Sequence, residues 1–254
     1  MMREERSHSI FWETPCKAIL ALQPLGISLA SDEVIPKSAH PFLVLLAICT
    51  LCAGQPAGTV IGTVPLPQRH GGRIAVEKYT GTISGKVAKA PPTRAGVWLE
   101  GAGASALPEK TKIVMEQRGY QFGESVVIVA PGTTIEFPNR DEDYHHIFSV
   151  SRPNSFEIGR FKKDTSPVPS QVFEKPGVVR LQCEIHDHMN ATVLVVDSRW
   201  RTLTDNAGRF MLTGIKPGEY TLHARTDAKT HWSAPVKVEA GKTTSAQFSQ
   251  QAKP

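Results

Sequence analysis

Apolar and polar residues alternate along most of this chain, in short pieces separated by turn-forming residues. In residues 177–183, Val179, Leu181 and Cys183 fall on one side and Arg180 and Gln182 on the other, the period of two of a half-buried strand. Residues 191–196 follow as a second, more apolar strand after a tight polar loop. Upstream, 145–150 reads as a strand that a polar turn feeds. Residues 151–164 carry a short apolar alternation with four basic residues, and suit either a solvated loop or a docking surface. Before these, 59–64, 82–87 and 97–100 are further strand candidates, and 88–95, with Pro91 and Pro92, is a loop. After them, Asp205 and Gly208 suit a tight turn. Phe210, Leu212, Tyr220 and Leu222 supply inward faces, and Pro217-Gly218 signals a hairpin. No segment keeps a helical period over several turns, so the pattern predicts an all-β protein.

With 254 residues, one or two domains are expected, and a hydrophobic content of 40% is enough for ordinary cores. The formal charge of +5 is scattered. It serves solubility or docking to an acidic partner, and nothing resembles a nucleic-acid module. Residues 42–52 form an apolar run too short to span a bilayer, and small residues follow it. Residues 1–54 therefore read as a leader with a signal peptide cleaved near residue 53 or 54, leaving no stable membrane span. A lipoprotein reading is weaker, because bulky Ile48 and Leu51 precede the two cysteines. The long lead before the apolar core points to a translation start near Val34, with residues 1–33 outside the natural chain. Of the four cysteines, Cys16, Cys49 and Cys52 lie in the leader. Cys183 would then be the lone thiol of an exported protein, and the histidines around it favour a ligand role.

The chemistry concentrates in residues 183–189, where Cys183, His186, His188 and Met189 stand within seven positions. Thiolate and thioether suit Cu(I), and imidazole suits copper or zinc. They lie at the end of one strand and in the loop to the next. A further donor comes from His145 or His146, which alternation sends to opposite faces of their strand. His188 is the less favourable loop histidine, because it and Met189 are adjacent and would both have to reach one ion.

The spacing Asn139…His145, then Cys183-x2-His186-x2-Met189, resembles the copper signature of small blue-copper proteins, the cupredoxins of the plastocyanin, pseudoazurin and amicyanin kind. The resemblance covers residues 110–197, and residues 120–122, 126–129, 131–132 and 134–137 look like that family's early strands. It implies a Greek-key β-sandwich binding one copper ion. His145, Cys183 and His186 would be the equatorial ligands and Met189 the weak axial one. At 146 the family usually has Asn and this chain has His, which bears on hydrogen bonding near the thiolate.

Residues 198–254 differ in character. The pattern Asp205-x-x-Gly208-x-Phe210, followed by Pro217-Gly218-x-Tyr220-x-Leu222, resembles the carboxypeptidase regulatory-like domain, a smaller transthyretin-like β-sandwich. Such a domain needs earlier strands, and the free candidates lie before residue 104. The expected organisation is a split sandwich of residues 58–104 plus 198–249, with the cupredoxin-like domain 110–197 inserted in it. Two sandwiches in tandem are the alternative. His223 and His231 read as lone surface or packing residues. The function implied is one-electron transfer between redox partners in the periplasm or at the cell surface. The other readings are copper handling without a redox partner, and a structural β-sandwich surface protein with a vestigial site. The ligands saturate the ion and no acid–base pair accompanies them, so no enzyme activity is expected.

Overall fold

The computed structural model describes residues 55–67, 85–106, 110–248 and 251–252. The leader and its cleavage site lie outside these residues, as do positions 82–84 of the strand expected at 82–87; Gly85, Lys86 and Val87 are not strand. Every regular element described is a strand, which makes the chain all-β. None of the described residues forms a helix long and apolar enough to cross a membrane.

In chain order the strands are β1 (Gly58–Thr63), β2 (Gly96–Glu100), β3 (Lys112–Val114), β4 (Val126–Val129), β5 (Thr133–Glu136), β6 (His145–Ser149), β7 (Phe156–Phe161) and β8 (Ser170–Phe173). Then come β9 (Gly177–Cys183), β10 (Asn190–Val195), β11 (Arg201–Leu203), β12 (Arg209–Ile215), β13 (Gly218–Arg225), β14 (His231–Val238), β15 (Thr243–Gln247) and β16 (Gln251–Ala252). Residues 112–195 supply two sheets, ordered β4-β10-β9-β6-β7 and β3-β5-β8. Their apolar faces meet in one core, which joins Ile135 and Phe173 to Val129, Ile147, Val179, Leu181 and Val193. This is the packing expected of strands that alternate inward and outward residues.

The other two sheets are ordered β12-β1-β15 and β11-β2-β13-β14-β16. Each draws strands from both sides of residues 112–195. β1 pairs antiparallel with β12 and parallel with β15, and β2 lies between β11 and β13. Val60, Phe210, Leu212 and Ile215 pack there against Val97, Leu99, Tyr220, Leu222, Trp232 and Val236. The two passages between the sandwiches run side by side. The Arg199 N–H donates to Ala104 O at 2.8 Å, and the Ala106 N–H to an Asp197 carboxylate oxygen at 2.9 Å.

The sandwiches share a small apolar contact of Val126, Leu194 and Val196 with Trp98, Ile128, Val178 and Leu203. Gly96 lies in it. A Cβ there would come within 2.5 Å of Leu194 Cδ1 and 3.3 Å of Ile128 Cβ, so the absence of a side chain lets β2 approach the neighbouring sheet.

One turn differs from its sequence reading. Pro217-Gly218 does not close a hairpin, because β12 pairs with β1 whereas β13 pairs with β2 and β14. The connection steps from one sheet to the facing one, and the Tyr220 hydroxyl donates to Lys216 O across it at 2.9 Å. Both strands turn apolar residues to the same core, which a corner between facing sheets satisfies as well as a hairpin does.

The turn at Asp205 forms as its residues suggest. The Gly208 N–H donates to Asp205 O at 3.0 Å, and Asp205 Oδ1 accepts the Ala207 and Arg209 N–H groups. Gly208 has φ +83°, and a Cβ would press on the Val64 carbonyl oxygen. Gly208→Ala is expected to cost about 1–3 kcal/mol, measured by denaturant unfolding. An unchanged midpoint and slope would contradict the assigned strain.

Candidate metal centre

Three strands deliver the candidate donors. β6 opens at His145, β9 ends at Cys183, and β10 begins just after Met189. Antiparallel pairing of β6 with β9 places Ile147 opposite Cys183. Because side chains alternate, His145 shares the inward face of Ile147 and reaches toward Cys183, while His146 points away. The Glu184 N–H donates to His146 O at 3.0 Å, extending this pairing into the loop. Two bonds close residues 184–189 on themselves: Met189 N–H to His186 O at 2.8 Å and Cys183 N–H to Met189 O at 3.3 Å.

The result is a compact donor group. Cys183 Sγ lies 3.8 Å from His145 Nδ1 and 3.7 Å from His186 Nδ1. One ligand atom from each of the three residues lies within 4.8 Å of the others, so this group could hold a metal ion. All three are buried: His145 is 0% exposed, Cys183 3% and His186 2%. Met189 is buried in the same apolar core as Cys183.

The surroundings set the state of these groups. Burial pushes the Cys183 thiol up. Hydrogen bonds from His145 and His186, and from the backbone N–H groups of His146 and His186, outweigh it and bring the thiol down to about 5. Cys183 is therefore a thiolate at neutral pH. Asp141 Oδ2 lies 2.9 Å from His145 Nε2 and also accepts the Tyr120 N–H, while Oδ1 accepts the Gly119 N–H. Burial works against the Asp141 carboxylate, but these contacts hold it below the usual range. An ionised carboxylate only accepts, so Nε2 carries a proton, and this contact turns Nδ1 toward Cys183.

The other sequence candidates fall outside the donor group. His146 Nδ1 is bonded to Glu184 Oε2 at 2.6 Å, and its Nε2 lies 2.9 Å from Glu157 Oε1, out of line for a hydrogen bond. His188 Nε2 lies 2.9 Å from Tyr120 O, and burial holds this imidazole below its usual range. Asn139 shapes the turn before β6, accepting the Asp141 N–H and donating to Asp143 O, each at 2.8 Å.

Asp141 and Tyr120 were missed in the sequence. The Tyr120 hydroxyl donates to Asp143 at 2.6 Å, and its ring meets His186 edge-on at 5.0 Å and His145 at 6.1 Å. The available signal was the acidic run Asp141-Glu142-Asp143 just before His145. His186 also borders a surface depression with Asp143, Tyr144, Arg160, Glu184 and Ile185. His188 and Asn190 do not line it.

Residues 188–251 match the model of the carboxypeptidase regulatory-like domain. Similar solved structures include an amicyanin, a purple cupredoxin and a copper-containing nitrite reductase. A reduced point mutant of amicyanin is 19% identical, with a TM-score of 0.31, over 39% of this chain and 98% of that one. A purple cupredoxin from Nitrosopumilus maritimus is 21% identical, with a TM-score of 0.29, over 34% of this chain and 99% of that one. The Cu-containing nitrite reductase from Thermus scotoductus SA-01 is 26% identical, with a TM-score of 0.31, over 38% of this chain and 25% of that one. No curated protein matches the chain.

Proposed function

We propose that this chain binds one copper ion through His145, Cys183 and His186, with Met189 as a weak fourth donor. In this reading it passes single electrons between redox proteins in the periplasm or at the cell surface. The observation that supports it is the donor set itself: one thiolate and two imidazole nitrogens, all buried, within 4.8 Å of one another. Soft and borderline donors in this ratio suit copper in both oxidation states, whereas structural zinc takes four strong ligands. Copper bound there would supply the Cu(I)/Cu(II) couple.

The chain's own residues do the remaining work. Asp141 fixes the orientation and proton of His145, the backbone N–H groups of His146 and His186 hold the Cys183 sulfur, and the apolar core excludes water. A donor shell fixed this way has little freedom to rearrange between oxidation states. His186 borders the depression where a redox partner would dock, and Asp143, Glu184 and Arg160 give that surface both signs of charge. The same saturation of the ion argues for a carrier rather than an enzyme.

Adding Cu(II) to the metal-free protein is the direct test. An intense visible thiolate-to-copper band saturating at one equivalent is expected. Cys183→Ala should lose it, whereas Met189→Leu should keep bound copper at a packing cost below about 1.5 kcal/mol. A colourless complex in the unmodified protein would end the reading. Bound, coloured copper that fails to exchange electrons with any redox partner would leave a copper-handling protein instead.

Asp141→Asn removes the fixed acceptor at His145 Nε2. Copper affinity should fall by about 10–100-fold, the usual effect of losing such a supporting contact, while the colour persists at saturating copper. Competition titration against a chelator measures this, and unchanged affinity would show that Asp141 does not position the ligand.

A further inference from the structure

A second cluster lies in the other sandwich, and the copper reading makes no use of it. Strand register places Trp98 opposite His223, and His231 opposite Arg225. By alternation Trp98, Glu100, His223, Arg225 and His231 project from one face of the sheet, while Val97, Leu99, Leu222, Ala224 and Trp232 line its buried core. The two histidines are thus neither lone nor separate. His223 Nδ1 lies 3.1 Å from His231 Nε2, with ring centroids 5.3 Å apart and planes at 12°, as for two rings meeting edge to edge. The Trp98 indole lies nearly parallel to both, at 5.1 Å from His223 and 6.3 Å from His231.

This aromatic group walls a cleft of about 430 Å³, whose other side is formed by Val178, Leu194 and Val196 of the neighbouring sandwich. That volume is in the range of small-molecule sites, and the lining has the usual mixture of apolar surface and a few polar groups. One of those polar groups lacks a matched partner. His223 Nε2 is inaccessible to solvent and makes no aligned hydrogen bond, although Glu100 Oε2 is 3.0 Å away. Arg225 is half-buried, donates to Ala228 O at 3.1 Å, and lies in the field of the Asp227 carboxylate.

We propose that this cleft binds a ring of a neutral saccharide, with its apolar C–H face against the aromatic wall and its hydroxyls on the polar rim. The negative face of an aromatic ring attracts polarised C–H groups. Sugar hydroxyls both donate and accept, and the rim offers both complements: Arg225 as donor, and Glu100 and Asp197 as acceptors. Burial holds both histidines below their usual range, His231 at about 4, so the pair is neutral at neutral pH. With Glu100, Asp197 and Arg225 all on its lining, the cleft carries both signs of charge and does not select strongly for either.

Two other occupants fit less well. A metal ion would need a third donor in reach, and among the described residues His145, Cys183 and His186 form the one such group. A redox reactant of the copper centre would sit too far away. The cleft includes Gly177 and the candidate centre Cys183, at opposite ends of β9, about 20 Å apart at ~3.3 Å per residue.

The test is a calorimetric titration of the full chain with cellohexaose, xylohexaose, maltohexaose and chitohexaose, and with an alginate oligomer as a charged comparator. At least one neutral oligosaccharide should bind with a Kd below ~1 mM, and Glu100→Ala and Trp98→Ala should each weaken it by at least about tenfold. Glu100 is exposed, so its variant should fold normally even if the tryptophan change loosens the shared apolar contact. The copper spectrum should not change in either variant, which separates this proposal from the copper reading. Binding of none of the neutral sugars, binding of the charged comparator alone, or wild-type affinity in the folded Glu100→Ala protein would overturn it.

Discussion

A thiolate and two imidazoles packed together beneath the surface constrain everything around them. Charge or unpaired polarity removed from water is costly unless it is compensated on the spot. Here compensation comes from several directions. Backbone N–H groups and both imidazoles face the Cys183 sulfur, and Asp141 holds the far side of His145. Asp141 is in turn anchored by the backbone of Gly119 and Tyr120. The strands are placed accordingly: β6 must lie beside β9 in the register that sets Ile147 opposite Cys183, and the loop to β10 must fold back tightly enough to turn His186 inward. A one-residue slip of β6 would exchange His145 for His146 and break the donor group.

That dependence explains which parts of the site were legible in the sequence. The strand with a clean period of two, 177–183, could be read directly, and so could the inward direction of Val179, Leu181 and Cys183. The group His145, Cys183 and His186 that the fold brings together was also suggested by the spacing and the cupredoxin resemblance; alternation alone left His145 and His146 equivalent. Asp141 was not, because an acidic residue in a polar turn looks the same whether it faces water or a histidine. Pairing between distant strands was equally hidden. His223 and His231 looked unrelated because nothing local shows that β13 and β14 bring them within 3.1 Å. The Pro217-Gly218 turn misled for the same reason, since a hairpin and a corner between facing sheets use the same residues.

β9 relates the two chemically distinctive regions. Its Cys183 end enters the donor group and its Gly177 end borders the cleft between the sandwiches. The apolar contact around Leu194, Val196 and Trp98 holds the second sheet against that end, with Gly96 allowing the close approach. A change in this contact would alter the cleft first and reach the donor group only through the length of a paired strand. The proposed electron-transfer and saccharide sites are therefore independent in composition and linked only mechanically.

The central claim is that Cys183, His145 and His186 together form the inner shell of one copper ion. X-ray absorption spectroscopy of the copper-loaded chain tests it most directly. The account predicts a shell of one short copper–sulfur and two copper–nitrogen contacts, with the sulfur contribution lost in Cys183→Ala and one nitrogen lost in His145→Ala. A shell made only of nitrogen and oxygen, or one unchanged by either substitution, would contradict it.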